Sequence, residues 1–205
     1  MADLIAFTRR ADLPVLAHTA IAHAQFETIH PFPDGNGRTG RALVHAMLRH
    51  GGVLRNVAVP VSAGLLTELD DYFDALTEYR SGRVRPIIEV FAAASLRALG
   101  NASTLADDVA RLQTDWEAAL SGIRSDAVAR RIVPLTIAYP VINAATALRL
   151  TGASGPAVAN ALAQLEERGV LVPGNSRRRG RIWVNQGVID ALERFALRTG
   201  KRVPA

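Results

Sequence analysis

The chain has 205 residues and a formal net charge of +5, a length that suits one large domain or two small ones. It has no cysteine, which excludes a disulfide scaffold, a thiolate nucleophile and any cysteine-ligated metal centre, while 49% hydrophobic residues are enough for an ordinary core. The charge is uneven: residues 1–123 carry 11 basic and 14 acidic side chains, a net −3, and residues 124–205 carry 13 and 5, a net +8, which predicts two functional units.

The pattern predicts a mainly helical chain. Residues 1–10 lack the basic start and apolar stretch of a signal peptide. Asp12 is placed to cap a helix with Pro14 in its first turn. Leu16, Ala20, Ala24 and Ile29 then recur at helical spacing as a buried stripe. Pro31, Pro33 and Gly35 stop that helix and force a loop. A second helix is expected from Asn36 to His50, ended by Gly51 and Gly52. Ser62 is placed to cap a third, carrying Leu65, Leu66, Leu69, Phe73 and Leu76. Pro86 opens a fourth, ending near Gly100, and a fifth covers 102–120.

The back half changes character. Asn143 is placed to cap a short helix over 144–149, and residues 151–153 read as a turn. Ser154, with Pro156 behind it, opens a helix to about Arg168, ended by Gly169. Residues 170–172 and 181–184 read as two strands around a loop, and a last helix covers 186–198. Helix, turn, helix and hairpin is the order of a winged helix-turn-helix. No apolar run approaches the roughly 18 residues of a membrane helix, so the expected localisation is cytoplasmic.

The chemically informative segment is His30-Pro31-Phe32-Pro33-Asp34-Gly35-Asn36-Gly37-Arg38-Thr39-Gly40-Arg41. Glycines flanking Asn36 at a helix start let backbone N–H groups converge on an anion. The helix dipole adds only about 0.3–1 kcal/mol, so more is needed to hold a polyphosphate. Arg38 and Arg41 are three apart and present guanidinium forks suited to phosphate oxygens. Asp34 is a hard oxygen ligand beside the same spot, the usual partner of a phosphate-bound Mg²⁺. His30, on the other side of the loop, is a candidate base. The combination points to a hydroxyl attacking a nucleotide phosphate, as phosphoryl or nucleotidyl transfer.

The same segment resembles the signature of the Fic family, H-P-F-x-[D/E]-G-N-G-R-x-x-R, with every fixed position filled. The lead-in at residues 22–29 and the stretch at 72–76 are similar too. The resemblance implies an all-helical core and AMP transfer from ATP to a Ser, Thr or Tyr hydroxyl of a target protein. It implies His30 as catalytic base, Asp34 as Mg²⁺ ligand, Gly35, Asn36 and Gly37 at the anion hole, Asn36 and Arg38 on the α- and β-phosphates, and Arg41 reaching the γ-phosphate. Phe32 would anchor the loop in the core. Family members that phosphorylate carry lysine at the second glycine, so Gly37 favours nucleotidyl transfer.

Two departures follow. Only 29 residues precede His30, so the resemblance covers the C-terminal half to two-thirds of the family core. No Ser or Thr has Glu four residues later, the mark of an inhibitory helix in the family. An antitoxin or inhibitory segment is therefore expected outside this chain. The expected architecture is a truncated Fic-type helical bundle over 1–100, a linker helix over 101–130 that includes Arg130, and a winged helix-turn-helix with a small β-hairpin over 131–205.

In the winged half, Asn160 and Gln164 are the amides on the candidate recognition helix, and Arg177, Arg178, Arg179 and Arg181 cluster at the wing. These are candidate DNA contacts, largely to the backbone. The alternative function is a DNA-binding regulator whose front half binds nucleotide without efficient catalysis. DNA and a homodimer are thus candidate partners beside the protein target. His18, His23, Trp116 and Trp183 read as packed residues. Tyr72 and Tyr79 read as core, with a nucleotide-flanking role as the alternative. Glu27 reads as structural, orienting the loop. His45 and His50 are spaced wrongly for a metal pair, and residues 34–45 fail the calcium-loop pattern.

Overall fold

A computed structural model describes residues 1–54, 61–66, 68–175 and 180–199. It is mainly helical: α1 (Ala2–Thr8), α2 (Val15–Ile29), α3 (Asn36–His50), α4 (Val61–Leu66), α5 (Leu69–Arg80), α6 (Arg85–Ala119), α7 (Val128–Ile132), α8 (Leu135–Ala138), β1 (Val141–Asn143), α9 (Ala144–Thr151), α10 (Gly155–Glu167), β2 (Val172–Pro173), β3 (Ile182–Val184) and α11 (Gln186–Arg198). The chain divides into two compact units, chiefly Met1–Ala102 and Ser103–Leu197. No helix among the described residues is long and apolar enough to cross a membrane.

In the front unit α2 is central and packs on α1, α3 and α5. Ala20 and Ala24 face a core with Val44, Leu48, Leu76, Ile87 and Phe91. Ala22 and Phe26 face a second cluster with Leu4 and Met47. Alanine on several faces lets neighbouring helices approach α2 from more than one side. The helix ends where Pro31 disfavours the right-handed α conformation at His30. α3 starts and stops at the expected residues, with Gly35 at its N-cap (φ 85°) and Gly51 at its C-cap.

Several expectations are corrected. Asp12 does not cap α2: the helix begins at Val15, Pro14 is the N-cap, and Asp12 pairs with Arg10 at 2.5 Å. α1 was not anticipated. The single helix expected from Ser62 is two, because Glu68 sits at φ −134°, ψ 70°, outside the helical region. α5 then restarts with Asp70 and Asp71 in its first turn, where carboxylates suit the helix dipole. The expected break at Gly100 does not occur, and α6 runs through it. A lone helical glycine costs about 1 kcal/mol against alanine, which flanking leucines and alanines outweigh.

In the back unit one core gathers Trp116, Leu120, Ile132, Ile142, Leu162, Leu165 and Trp183. Asn143 caps α9 as expected, accepting the Thr146 N–H at 2.8 Å. Gly152 (φ 63°) and Gly169 (φ 70°) end α9 and follow α10 in the left-handed region. The expected hairpin is present, but its first strand is only Val172–Pro173. An unanticipated strand, β1, joins it in the order β1-β3-β2, all antiparallel, with Ile142 opposite Trp183. Asn185, buried before α11, donates to Thr136 Oγ1 at 2.8 Å and accepts the Val188 N–H.

Candidate active site

The site of the front unit is built on the α2–α3 turn. His30 closes α2 at φ 48°, ψ 59°, and its N–H donates to Phe26 O at 2.9 Å. It is the one non-glycine residue with positive φ among the described residues. A left-handed non-glycine residue costs about 1–2 kcal/mol, a strain of the kind that clusters at functional positions. The imidazole is 63% exposed.

Across the loop, α3 begins at Asn36. The N–H groups of Asn36, Gly37 and Arg38 lie in its first turn, where no carbonyl precedes them in the helix. The Asn36 side chain is buried and ties the loop: it accepts the Phe32 N–H at 3.0 Å and donates to Phe32 O at 2.5 Å. Both polar ends of that amide are therefore engaged by loop backbone. The Phe32 ring, expected in the core, is 45% exposed with Phe26 at 6.3 Å. The loop is fastened by Asn36 rather than by the ring. Arg38 donates to Asp34 at 3.1 Å, and both side chains are largely exposed. Gly35 takes a positive φ of 85° that L side chains rarely adopt, and a Cβ at Gly37 would only touch the Arg41 guanidinium at 3.4 Å.

A cavity of about 320 Å³ opens beside this loop, lined by His30, Gly37, Arg41, Glu27, Arg80 and Tyr72, with apolar walls from α3, α4 and α5. It joins cationic groups to apolar walls, as a site for an anion with a flat apolar body requires. His30 and Arg41 meet there. Asp34 and Arg38 do not line it.

Beneath the cavity lies a buried polar chain that sequence reasoning missed. His23 Nδ1–H donates to Gly40 O at 3.3 Å, and Tyr72 O–H donates to His23 Nε2 at 2.8 Å. The carbonyl can only accept, which fixes this tautomer of the neutral ring. Burial pushes the His23 pKa down to about 4 and the Tyr72 hydroxyl above its ordinary range. Gly40 has no space for a side chain: a Cβ would fall 2.5 Å from Glu27 Oε1 and 3.0 Å from His23 Cε1. The chain thereby bolts α3 onto α2 and α5. Glu27 is also raised by burial, opposed by His30, Arg41 and Arg80. The expectation that His18 and His23 are packed is met; His18 Nε2–H donates to Phe7 O at 2.7 Å.

In the back unit, Asn160 and Gln164 are exposed on α10. Arg181 is engaged internally: it donates to both Glu166 oxygens at 2.7 and 2.9 Å and lies 5.2 Å over the Trp183 ring. Trp183 Nε1–H donates to the same carboxylate at 2.8 Å. Arg177, Arg178 and Arg179 lie outside the described residues. Arg130 belongs to α7, where it donates to Leu120 O, Ile123 O and Glu117.

With this geometry in hand, comparison with known proteins is direct. Residues 1–48, which contain the whole loop, match the Fic/DOC family model. Among individual relatives, the chain is 42% identical over 72 residues to a probable protein adenylyltransferase of Aquifex aeolicus (strain VF5), covering 35% of this chain and 20% of that one. It is 34% identical over 80 residues to protein adenylyltransferase Fic of Nematostella vectensis, covering 39% and 17%. The chain thus spans a fifth or less of the length of these curated relatives. A solved Fic family protein from Desulfovibrio desulfuricans G20 aligns at TM-score 0.46 and 22% identity, over 90% of this chain and 53% of that one.

Proposed function

We propose that the front unit transfers AMP from ATP to a Ser, Thr or Tyr hydroxyl of a target protein, with His30 as general base. One observation carries this reading. An exposed imidazole, held at a left-handed helix end, shares a cavity with Gly37 and Arg41 of the following helix start. Relatives named protein adenylyltransferase support it. The target hydroxyl gives its proton to His30, and its oxygen attacks the α-phosphorus. The bond from that phosphorus to the bridging oxygen breaks, and pyrophosphate leaves. The first-turn N–H groups at Gly37 and its neighbours suit the charge building on the α-phosphate. Arg38 and Arg41 suit the leaving pyrophosphate. Asn36 serves by holding the loop closed.

A divalent ion enters with ATP as part of the substrate. Asp34 offers an exposed carboxylate for it, and no group of three His, Asp or Glu side chains forms a resident cage among the described residues. One carboxylate plus substrate phosphates is a common way to hold Mg²⁺, and fits these residues. When bound, the ion neutralises phosphate charge. Asp34 has one oxygen on Arg38, and its carboxylate would be the group to hold such an ion.

The test is a pair of labelling reactions with ATP, Mg²⁺ and candidate target proteins. Label from the α-position is expected to appear on protein. Label transferred only from the γ-position would replace AMP transfer with kinase chemistry.

We infer in addition that the back unit is a winged helix-turn-helix. The order α7, α8, β1, α9, α10, β2, β3, α11 supports it, with α10 as the candidate recognition helix. The DNA-binding alternative rests on the exposed amides Asn160 and Gln164 and on the net +8 of this half. A salt series of binding to a random duplex tests it. A steep log–log slope, about 0.9 per phosphate contact, is expected of DNA binding, and no binding at low salt would leave a protein-interaction module.

A further inference from the structure

Glu27 lies outside the loop signature, one helical turn before His30. Its Oε2 is 4.0 Å from His30 Nδ1, and its side chain is only 13% exposed. Its position is restricted from the opposite side as well. Oε1 faces Gly40, where a Cβ would come within 2.5 Å, so the missing side chain at residue 40 makes the space the carboxylate fills. Among the described residues it makes no shorter polar contact. The other charged groups lining the cavity are Arg41 and Arg80, and its remaining titratable groups are the neutral His23 and Tyr72. Arg41 and Arg80 both favour the ionised carboxylate.

A neutral imidazole carries one N–H, and the partner of one ring nitrogen decides which nitrogen bears it. A carboxylate beside Nδ1 selects the Nδ1–H form and leaves the lone pair on Nε2, at the opposite edge of the ring. Base and orienting carboxylate in sequence is the arrangement nucleophilic enzymes use to aim a histidine. At 4.0 Å the pair is longer than a hydrogen bond. Such pairs are commonly loose before substrate binds and tighten in the complex.

We propose that Glu27 is a positioning residue for His30: its carboxylate accepts the Nδ1–H of the neutral ring and so presents Nε2 to the attacking hydroxyl. The catalytic part of this inference rests on the transferase reading; the tautomer does not.

The experiment uses the full chain with ¹⁵N-labelled histidine at about pH 8.5, well above the usual imidazole range. Ring-nitrogen shifts of His30 are expected to report mainly Nδ1–H in the wild type. Glu27→Ala is expected to move His30 toward Nε2–H, and Glu27→Gln, whose carbonyl still accepts, to retain most of the Nδ1–H form. His23 is the internal control. It remains Nδ1–H in all three proteins if the packing of α2 on α3 is intact. A His30 tautomer unchanged in Glu27→Ala, with His23 unchanged, overturns the proposal. In the AMP-transfer assay, Glu27→Ala is expected to lower kcat about 10- to 100-fold, the range for removing an orienting partner, with KM for ATP little changed and Glu27→Gln less affected. A raised KM with unchanged kcat would make Glu27 a nucleotide-site charge and would also overturn the proposal. A tautomer shift as expected, with no transfer by any of the proteins, would uphold the positioning role while removing the transferase reading.

Discussion

The two loop arginines of the front unit and three arginines of the back unit are used in opposite ways. In the front unit, Arg38 and Arg41 stand exposed at a helix start, with Arg38 paired to Asp34 on the surface. In the back unit, arginines hold the fold's own carbonyls and carboxylates. Arg130 bridges Leu120 O, Ile123 O and Glu117, Arg168 donates to Ala119 O and Ser121 O, and Arg181 grips Glu166. Among the described residues of the half with the larger positive charge, these three arginines are already engaged. A charge count therefore includes cations committed within the fold, while Arg38 and Arg41 in front are hidden inside a net negative count.

The largest expected effect breaks the front half of this contrast. His30→Ala should lower AMP transfer about 10²–10⁴-fold, the usual contribution of a general base, measured by α-label incorporation at saturating ATP. Undiminished transfer would remove His30 from the mechanism.

Next comes acidity. The folded His23 pKa near 4 lies below the unfolded imidazole's roughly 6.5. The unfolded chain therefore binds the extra proton, so stability falls as pH drops from about 6.5 to 4. The loss is on the order of 3 kcal/mol. Melting temperatures across that window should decline more steeply in the wild type than in His23→Gln. Equal slopes would assign the acid sensitivity to other groups.

Arg130→Met tests the structural use of arginine. It strands the partly buried Ile123 carbonyl and leaves Glu117 without its partner, and should cost about 1–3 kcal/mol, read as a lower Tm with AMP transfer by the front unit retained. Gly40→Ala should cost a similar or smaller amount, about 1–3 kcal/mol of overpacking, and should lower activity with it, because the added methyl meets both Glu27 and His23. The smallest effect sharpens the comparison. Arg181→Met should leave the salt slope of any DNA binding unchanged while lowering stability, since its guanidinium is bound to Glu166. A slope reduced by about 0.9, one phosphate contact, would return Arg181 to the binding surface.

Much of this was legible in the sequence where local chemistry dominates. α3 is bounded by Gly35 and Gly51, and Asn143 caps α9, because glycine and short polar side chains act within a turn of their own position. α6 was misjudged because the local signal at Gly100 was real but weak against thirty-five helical residues. β1 was invisible because three residues become a strand only by pairing with β3, some forty positions away. The loop's place between α2 and α3 was readable from Pro31, Pro33 and Gly35 alone. Its fastening by Asn36, the His23–Tyr72 chain and the place of Glu27 were not, since each depends on which helix face meets which. The internal use of Arg130, Arg168 and Arg181 is of the same kind.

The α2–α3 turn has a consequence for assembly. His30, the first-turn N–H groups of α3 and both loop arginines lie within a contiguous stretch of two helices joined by six residues, 30–35. Closing so short a connection is fast, on the order of 10–100 ns for a loop of about ten residues. Chains emerge from the ribosome N-terminus first. Both sides of the loop are thus made close together in synthesis, before α5 brings Tyr72 to His23 and well before the back unit is made.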